Sequence, residues 1–106
     1  MTGMPRRSPV PDFSGAAASA HRAIQNEARL SVLRMLLREG TATRAEITAA
    51  TGLTVSTALV AIRDLEQAGY VLTNVEGDRK GNRVDYSADR QKVTSDLFEL
   101  LAWVLG

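Results

Sequence analysis

Between Thr43 and Gly69 the chain reads TRAEITAATGLTVSTALVAIRDLEQAG, and the punctuation of this stretch leaves few ways to fold. Thr43 followed by Glu46 has capping-box spacing, in which each side chain can satisfy a backbone N–H that a helix start leaves unpaired. Ile47 and Ala50 then share a face, and Gly52 breaks the run with a residue that accepts the positive φ of a tight interhelical turn. Leu53 is placed to plug the gap between two helices. Thr54 restarts the pattern as a second N-cap, and the next helix is expected from about Val55 to Ala68, stopped by Gly69. On a 3.6-residue wheel Ala58, Ile62 and Leu65 point inward. Ser56, Val60, Arg63 and Gln67 point outward, with Leu59 on the border and Val55 and Ala61 adding apolar character to the outer side.

Two strand-like runs follow, Tyr70 to Val75 and Arg83 to Ser87, rich in β-branched and aromatic residues. Between them Glu76-Gly77-Asp78-Arg79-Lys80-Gly81-Asn82 combines two turn-forming glycines with positive charge. Thr41-Ala42 is a candidate short strand that pairs with this hairpin. A helix, a glycine turn, a longer helix and a charged hairpin make a nucleic-acid-docking layout, the winged helix-turn-helix. A major groove about 12 Å wide admits the second helix side-on. Ser56 and Thr57 suit phosphate near that helix's N-terminus, where free N–H groups and the dipole favour an anion. Arg63 suits phosphate or a guanine edge, and Arg79, Lys80 and Arg83 suit phosphate or a minor groove. The DNA-binding candidates are therefore Thr54, Ser56, Thr57, Val60, Arg63, Gln67, Arg79, Lys80 and Arg83.

Leu30-Ser31-Val32-Leu33-Arg34-Met35-Leu36-Leu37, Gly52-Leu53-Thr54-Val55-Ser56-Thr57, Leu65-Glu66-Gln67-Ala68-Gly69-Tyr70-Val71 and Gly81-Asn82-Arg83-Val84-Asp85-Tyr86-Ser87, in this order and spacing, resemble bacterial winged-helix regulators of the ArsR and MarR types. The resemblance spans roughly residues 26–87. It implies a homodimer that binds an operator and represses transcription, often with release on a ligand. The chain departs from those families where their second helix carries several polar or basic readers. Val55, Leu59, Val60 and Ala61 stand there instead, able to touch thymine methyl groups but not to form bidentate hydrogen bonds.

The flanks are helical in pattern. Residues 1–12, with Gly3, Pro5, Pro9, Pro11 and the pair Arg6-Arg7, are expected to form a flexible arm; tracking phosphate with those arginines is the sharper alternative. Residues 13–106 are expected to form one domain. From Phe13 to about Gln25, Phe13, Ala17, Ala20 and Ile24 share a face. In ArsR-type relatives such an N-terminal helix joins the dimer interface. Asn26 caps a further helix with Glu27 in its first turn, and Leu30, Leu33 and Leu37, widened by Val32, Met35 and Leu36, predict a deeply packed face ending at Gly40. Arg29, Arg34 and Arg38 project between these apolar positions, as a solvated face or as phosphate contacts. A last helix is expected at about 89–105, started by Asp89 or Ser87. Its residues Val93, Leu97, Leu100, Leu101 and Val104, with Phe98, Trp103 and Leu105 beside them, offer more apolar surface than a terminal helix of so small a domain needs. Phe13, Ala17, Val93, Leu97, Leu100, Leu101 and Val104 are the candidate dimer interface. The fold class is thus mainly α with a small β-hairpin (α+β), flanked by N- and C-terminal dimerisation helices.

Composition narrows the chemistry. With 44% hydrophobic and 24% charged residues in 106, the chain has the make-up of one small globular domain. Its net charge of +1 carries little weight, but residues 1–83 hold +3 and residues 84–106 hold −2, which puts the candidate DNA surface in the basic part. The absence of cysteine excludes disulfides, thiolate metal sites and a cysteine nucleophile, and it fits a cytoplasmic setting. No signal-peptide core or membrane-length apolar run stands out, so no membrane partner is expected. His21 is the sole histidine, so the acids Asp89, Asp96 and Glu99 lack the imidazoles that terminal-helix metal sites of some ArsR-type sensors need; no metal or other cofactor is expected. A small-molecule effector is compatible with a dimer crevice, but no residue commits to one. No catalytic constellation, Gly-rich phosphate loop or paired carboxylates stand out, so an enzyme is not expected.

The leading expectation is a homodimeric repressor on a pseudo-palindromic site in double-stranded DNA. A plasmid or phage DNA-architectural or partition protein remains open, as does a winged-helix module whose Val55, Leu59 and Val60 contact a protein.

Overall fold

A computed structural model describes residues 13–75 and 83–106. The expected arm at 1–12 and the hairpin tip carrying Arg79 and Lys80 lie outside the described residues. Among the described residues, five helices and three short strands follow in the order α1 Gly15–Ile24, α2 Glu27–Glu39, β1 Thr41–Ala42, α3 Arg44–Thr51, α4 Val55–Gln67, β2 Val71–Thr73, β3 Tyr86–Ala88 and α5 Arg90–Leu105. This is a winged helix-turn-helix.

Side-chain caps start every helix. Ser14, Asn26, Thr43, Thr54 and Asp89 accept from the backbone N–H groups of Ala17, Arg29, Glu46, Thr57 and Lys92. Thr43 and Glu46 close the full capping box, with the Thr43 N–H donating to Glu46 Oε1 over 2.8 Å. At the far end of α4 the N–H of Tyr70 reaches the carbonyl of Leu65 and that of Gly69 reaches Glu66, a Schellman pattern that requires the left-handed φ of +84° at Gly69.

The three strands form one antiparallel sheet in the order β1-β3-β2. Ala42 lies opposite Tyr86 on one side of β3, and Thr73 lies opposite Tyr86 on the other. The strands are shorter than the expected runs at 70–75 and 83–87. Tyr70 is still engaged in closing α4, and beyond Thr73 a side chain replaces the ladder. The Asn74 N–H donates to the Asp85 carbonyl over 3.2 Å, while its side-chain amide accepts from the Asp85 N–H over 2.9 Å and donates to the Arg83 carbonyl over 3.3 Å.

The core gathers Val32, Leu33 and Leu36 of α2, Ile47 of α3, Ile62 and Leu65 of α4, and Tyr70, Tyr86 and Val93. Three expectations are corrected there. Ala61, expected on the outer side of α4, is buried, because Ala58, Ala61, Ile62 and Leu65 form an i, i+3, i+4, i+7 stripe against α2. Leu30, expected in the packed face of α2, is exposed, since that face is centred on Val32 and Leu36. Ala17 and Val93, expected on a dimer face, are buried within the subunit, where α1 packs along α5 and Val93 joins the core. No single helix among the described residues is long and apolar enough to cross a membrane.

Candidate nucleic-acid interface

The chain turns through 112° between α3 and α4, within the ~90–120° of helix-turn-helix units. Gly52 makes this turn at φ +75°, and Leu53 packs against the core beside it, as the apolar plug between helices should. With Ala58, Ala61, Ile62 and Leu65 turned inward, α4 leaves Thr54, Val55, Ser56, Thr57, Val60, Arg63 and Gln67 on the solvent side. Six of the nine DNA-binding candidates are thus exposed on α4 or at its cap, and Ser56, Val60, Arg63 and Gln67 share one face. Leu59 sits at its edge, half-buried.

Hydroxyls crowd the N-terminus of α4. Thr54 Oγ1 accepts from the Thr57 N–H over 3.2 Å and donates to Thr57 Oγ1 over 2.9 Å, with Ser56 Oγ 3.4 Å away. The cap is therefore satisfied within the chain, and the Ser56 and Thr57 hydroxyls remain exposed where the helix dipole favours an anion. One turn beyond Val60, the Arg63 guanidinium is exposed and makes no ion pair within the described residues. Arg83, at the base of the wing, is also exposed, and Asp85 Oδ1 lies 3.0 Å from its Nε. That pair holds the arginine in place but offsets part of its charge. Arg83 also contributes to keeping the Glu46 carboxyl below the usual carboxylate range; the backbone N–H and then the hydroxyl of Thr43 are the larger causes.

What holds α4 in position was not legible as a site. Arg29, read from sequence only as one of three spaced arginines on α2, forks onto Asp64 Oδ2 through Nη2 at 2.8 Å and Nε at 3.2 Å. Its remaining Nη1 donates to the carbonyl of Arg22 over 3.0 Å. One guanidinium thus ties the start of α2 to the middle of α4 and the end of α1. Long-range pairing of this kind leaves no signal in local spacing.

The acids near the end of the chain have structural partners. Asp89 caps α5, and the buried Asp96 accepts from the Tyr70 hydroxyl over 2.6 Å and pairs with Lys92 Nζ over 3.0 Å.

The candidate dimer residues divide. Leu97 and Leu101 are exposed with Phe98, Val104 and Leu105, Leu100 is half-buried, and the Phe13 ring packs at a tilt on Trp103 with ring centroids 4.7 Å apart. The exposed leucines, Phe98 and Val104 form an apolar strip on the outer side of α5.

Residues 22–71 match the family model described as winged helix-turn-helix DNA-binding. No curated protein matches the sequence significantly. Among solved structures, the chain is similar to the homodimeric winged helix-turn-helix DNA-binding domain of Mb0332 from Mycobacterium bovis, a possible ArsR-family transcriptional regulator. That likeness has 27% identity and a TM-score of 0.59 over 85% of this chain and 77% of the other. It is also similar to HlyU from Vibrio cholerae N16961, at 26% identity and a TM-score of 0.63, over 87% and 97% of the two chains. The fold extends to the AntR antimony-specific transcriptional repressor, at 19% identity and a TM-score of 0.64 over 92% and 86%.

Proposed function

We infer, from a winged helix-turn-helix fold similar to that of a possible ArsR-family regulator, that the chain binds double-stranded DNA as a homodimer and regulates transcription, most directly by occluding a promoter. The observation that carries this reading is the exposed face of α4, where Ser56, Thr57, Val60, Arg63 and Gln67 stand clear of a helix whose other side is fully used in the core. In the docked state α4 lies in the major groove, its N-terminal hydroxyls against phosphate and Arg63 on a base edge or phosphate. The wing, with Arg83 and the charges of Arg79 and Lys80, follows the neighbouring backbone. The apolar strip of α5 supplies the two-fold contact, so that two α4 helices enter successive major grooves about 34 Å apart on a pseudo-palindromic site. Mb0332, whose DNA-binding domain is homodimeric, supports the pairing of two copies. The role is binding rather than catalysis, and its setting is the cytoplasm, where the DNA is.

Selection of bound duplexes from random DNA, followed by anisotropy titration, tests the reading. Arg63→Ala should weaken binding to the selected site by about 1–3 kcal/mol, and Arg79→Ala with Lys80→Ala should lower the salt slope by about one for each lost phosphate contact. Titrations unchanged by all three substitutions would place the docking surface elsewhere.

A further inference from the structure

We propose that the N-terminal half of α4 reads thymine methyl groups, so that each half-site carries T·A pairs where Val60, and Val55 at the helix start, meet the groove floor. The proposal rests on the reading that α4 enters the major groove.

From Thr54 to Val60 the exposed side chains are three hydroxyls and two valines. None carries the forked donors or the paired donor and acceptor that recognise guanine or adenine bidentately; those begin only with Arg63. The hydroxyls discriminate poorly, since each can donate or accept, and Thr54 is already committed to Thr57. The valines are different. Val55 and Val60 each keep 53% of their surface exposed, although a β-branched side chain adds nothing to helix propensity and neither joins the core. Val60 stands centrally on the outer face, one turn after Ser56 and one before Arg63. The C5-methyl of thymine is the apolar group that the major groove offers such a side chain. Helix-turn-helix proteins place the N-terminal residues of this helix against base edges, which is where these valines lie.

The test starts from a selected operator and replaces its thymines one at a time by deoxyuridine, which removes the C5-methyl and leaves the Watson–Crick pair intact. One or two positions per half-site should each lose about fourfold in affinity, the equivalent of one buried methyl group. Val60→Ala, at an exposed position, should bind the unmodified operator more weakly and should no longer respond to deoxyuridine at its position, which couples side chain to methyl in a double-mutant cycle. A cytosine placed there should weaken binding, and 5-methylcytosine should recover part of it. An operator bound with the same affinity whether thymines or uridines fill every position overturns the inference while leaving DNA binding intact. So does a selected site without T·A pairs facing α4. Failure of the wild-type chain to bind any duplex overturns both the inference and the reading beneath it.

Discussion

The hydroxyl of Tyr70 donates to Asp96 Oδ2 over 2.6 Å and thereby fastens the junction between α4 and the wing to the helix that carries the apolar strip. Asp96 is 5% exposed and is completed by Lys92, whose Nζ lies 3.0 Å from the same oxygen and 5.5 Å from the centre of the Tyr70 ring. A buried carboxylate with two donors is tolerable; with one it is costly. Tyr70 also closes the Schellman turn of α4 through its backbone N–H, so the orientation of α4 relative to α5 depends on a short polar contact inside the core.

Tyr70→Phe should therefore lower stability by about 1–2 kcal/mol, read as a shift of the denaturant midpoint at unchanged slope. The wild-type protein should also have an alkaline limit that the variant lacks. Burial first, then the hydrogen bond to Asp96, pushes the Tyr70 phenol up to about 12 from an ordinary value near 10. A raised folded-state value means that stability is fully present below pH 10 and is lost as pH rises toward 12, because the unfolded chain ionises first. Midpoints measured from pH 8 to 11.5 should converge for the two proteins. A constant difference across that range would show that the phenol is not the titrating group.

Arg29 and Asp64 form a two-pronged contact at 2.8 and 3.2 Å, with their side chains 25% and 34% exposed. Exposed ion pairs contribute little, but fork geometry and a third bond to the Arg22 carbonyl place this one at the upper end of the range. A double-mutant cycle with Arg29→Ala and Asp64→Ala should give a coupling of about 1 kcal/mol, smaller in 1 M salt. Coupling near zero would reduce the contact to decoration. Because Asp64 lies next to Arg63, Arg29→Ala should also weaken operator binding by more than the loss of one distant charge explains.

Sequence periodicity carried most of the frame and little of its fastening. Capping residues and helix-stopping glycines are local devices, so Thr43 with Glu46, Thr54, Asn26 and Asp89 marked their helix starts in the chain itself. The inward stripe of α4 is legible at Ala58, Ile62 and Leu65, whereas the equally buried Ala61 gives no signal of its own because alanine has no strong preference for either side. The amphipathic pattern of α5 could not distinguish surface turned to its own core, at Val93, from surface left outside, at Leu101 and Val104. In the sequence Asp96 is one more acid on that helix, and the Tyr70 hydroxyl that bonds it lies 26 residues earlier. Contacts between distant positions follow from packing, which no window of the sequence reports.

Gly52 turns the chain between α3 and α4 at φ +75°, with open space where a Cβ would sit. Gly52→Ala should thus cost only the backbone penalty of a left-handed residue, about 1 kcal/mol, or roughly 4–8 °C in Tm for a domain of this size. Asn, which tolerates this region better, should cost less. An asparagine that costs more than alanine would mean that space, not φ, decides the position.

If the strip on α5 is the two-fold contact, substitutions along this helix should separate assembly from folding. Phe98 and Leu101 are 64% and 49% exposed in the subunit, whereas Val93 on the same helix is 5% exposed. A charge at the first two positions adds no desolvation inside the monomer, but in a two-fold contact it is buried twice over, once from each copy. Phe98→Glu or Leu101→Glu should leave the helical circular dichroism intact while halving the mass by light scattering, with a dimer dissociation constant raised at least about thirtyfold. Operator affinity should fall with it, because two half-sites are then bound independently. Val93→Glu should instead abolish cooperative unfolding of the subunit. A Leu101→Glu protein that stays dimeric and binds its operator normally would show that the copies meet through another face.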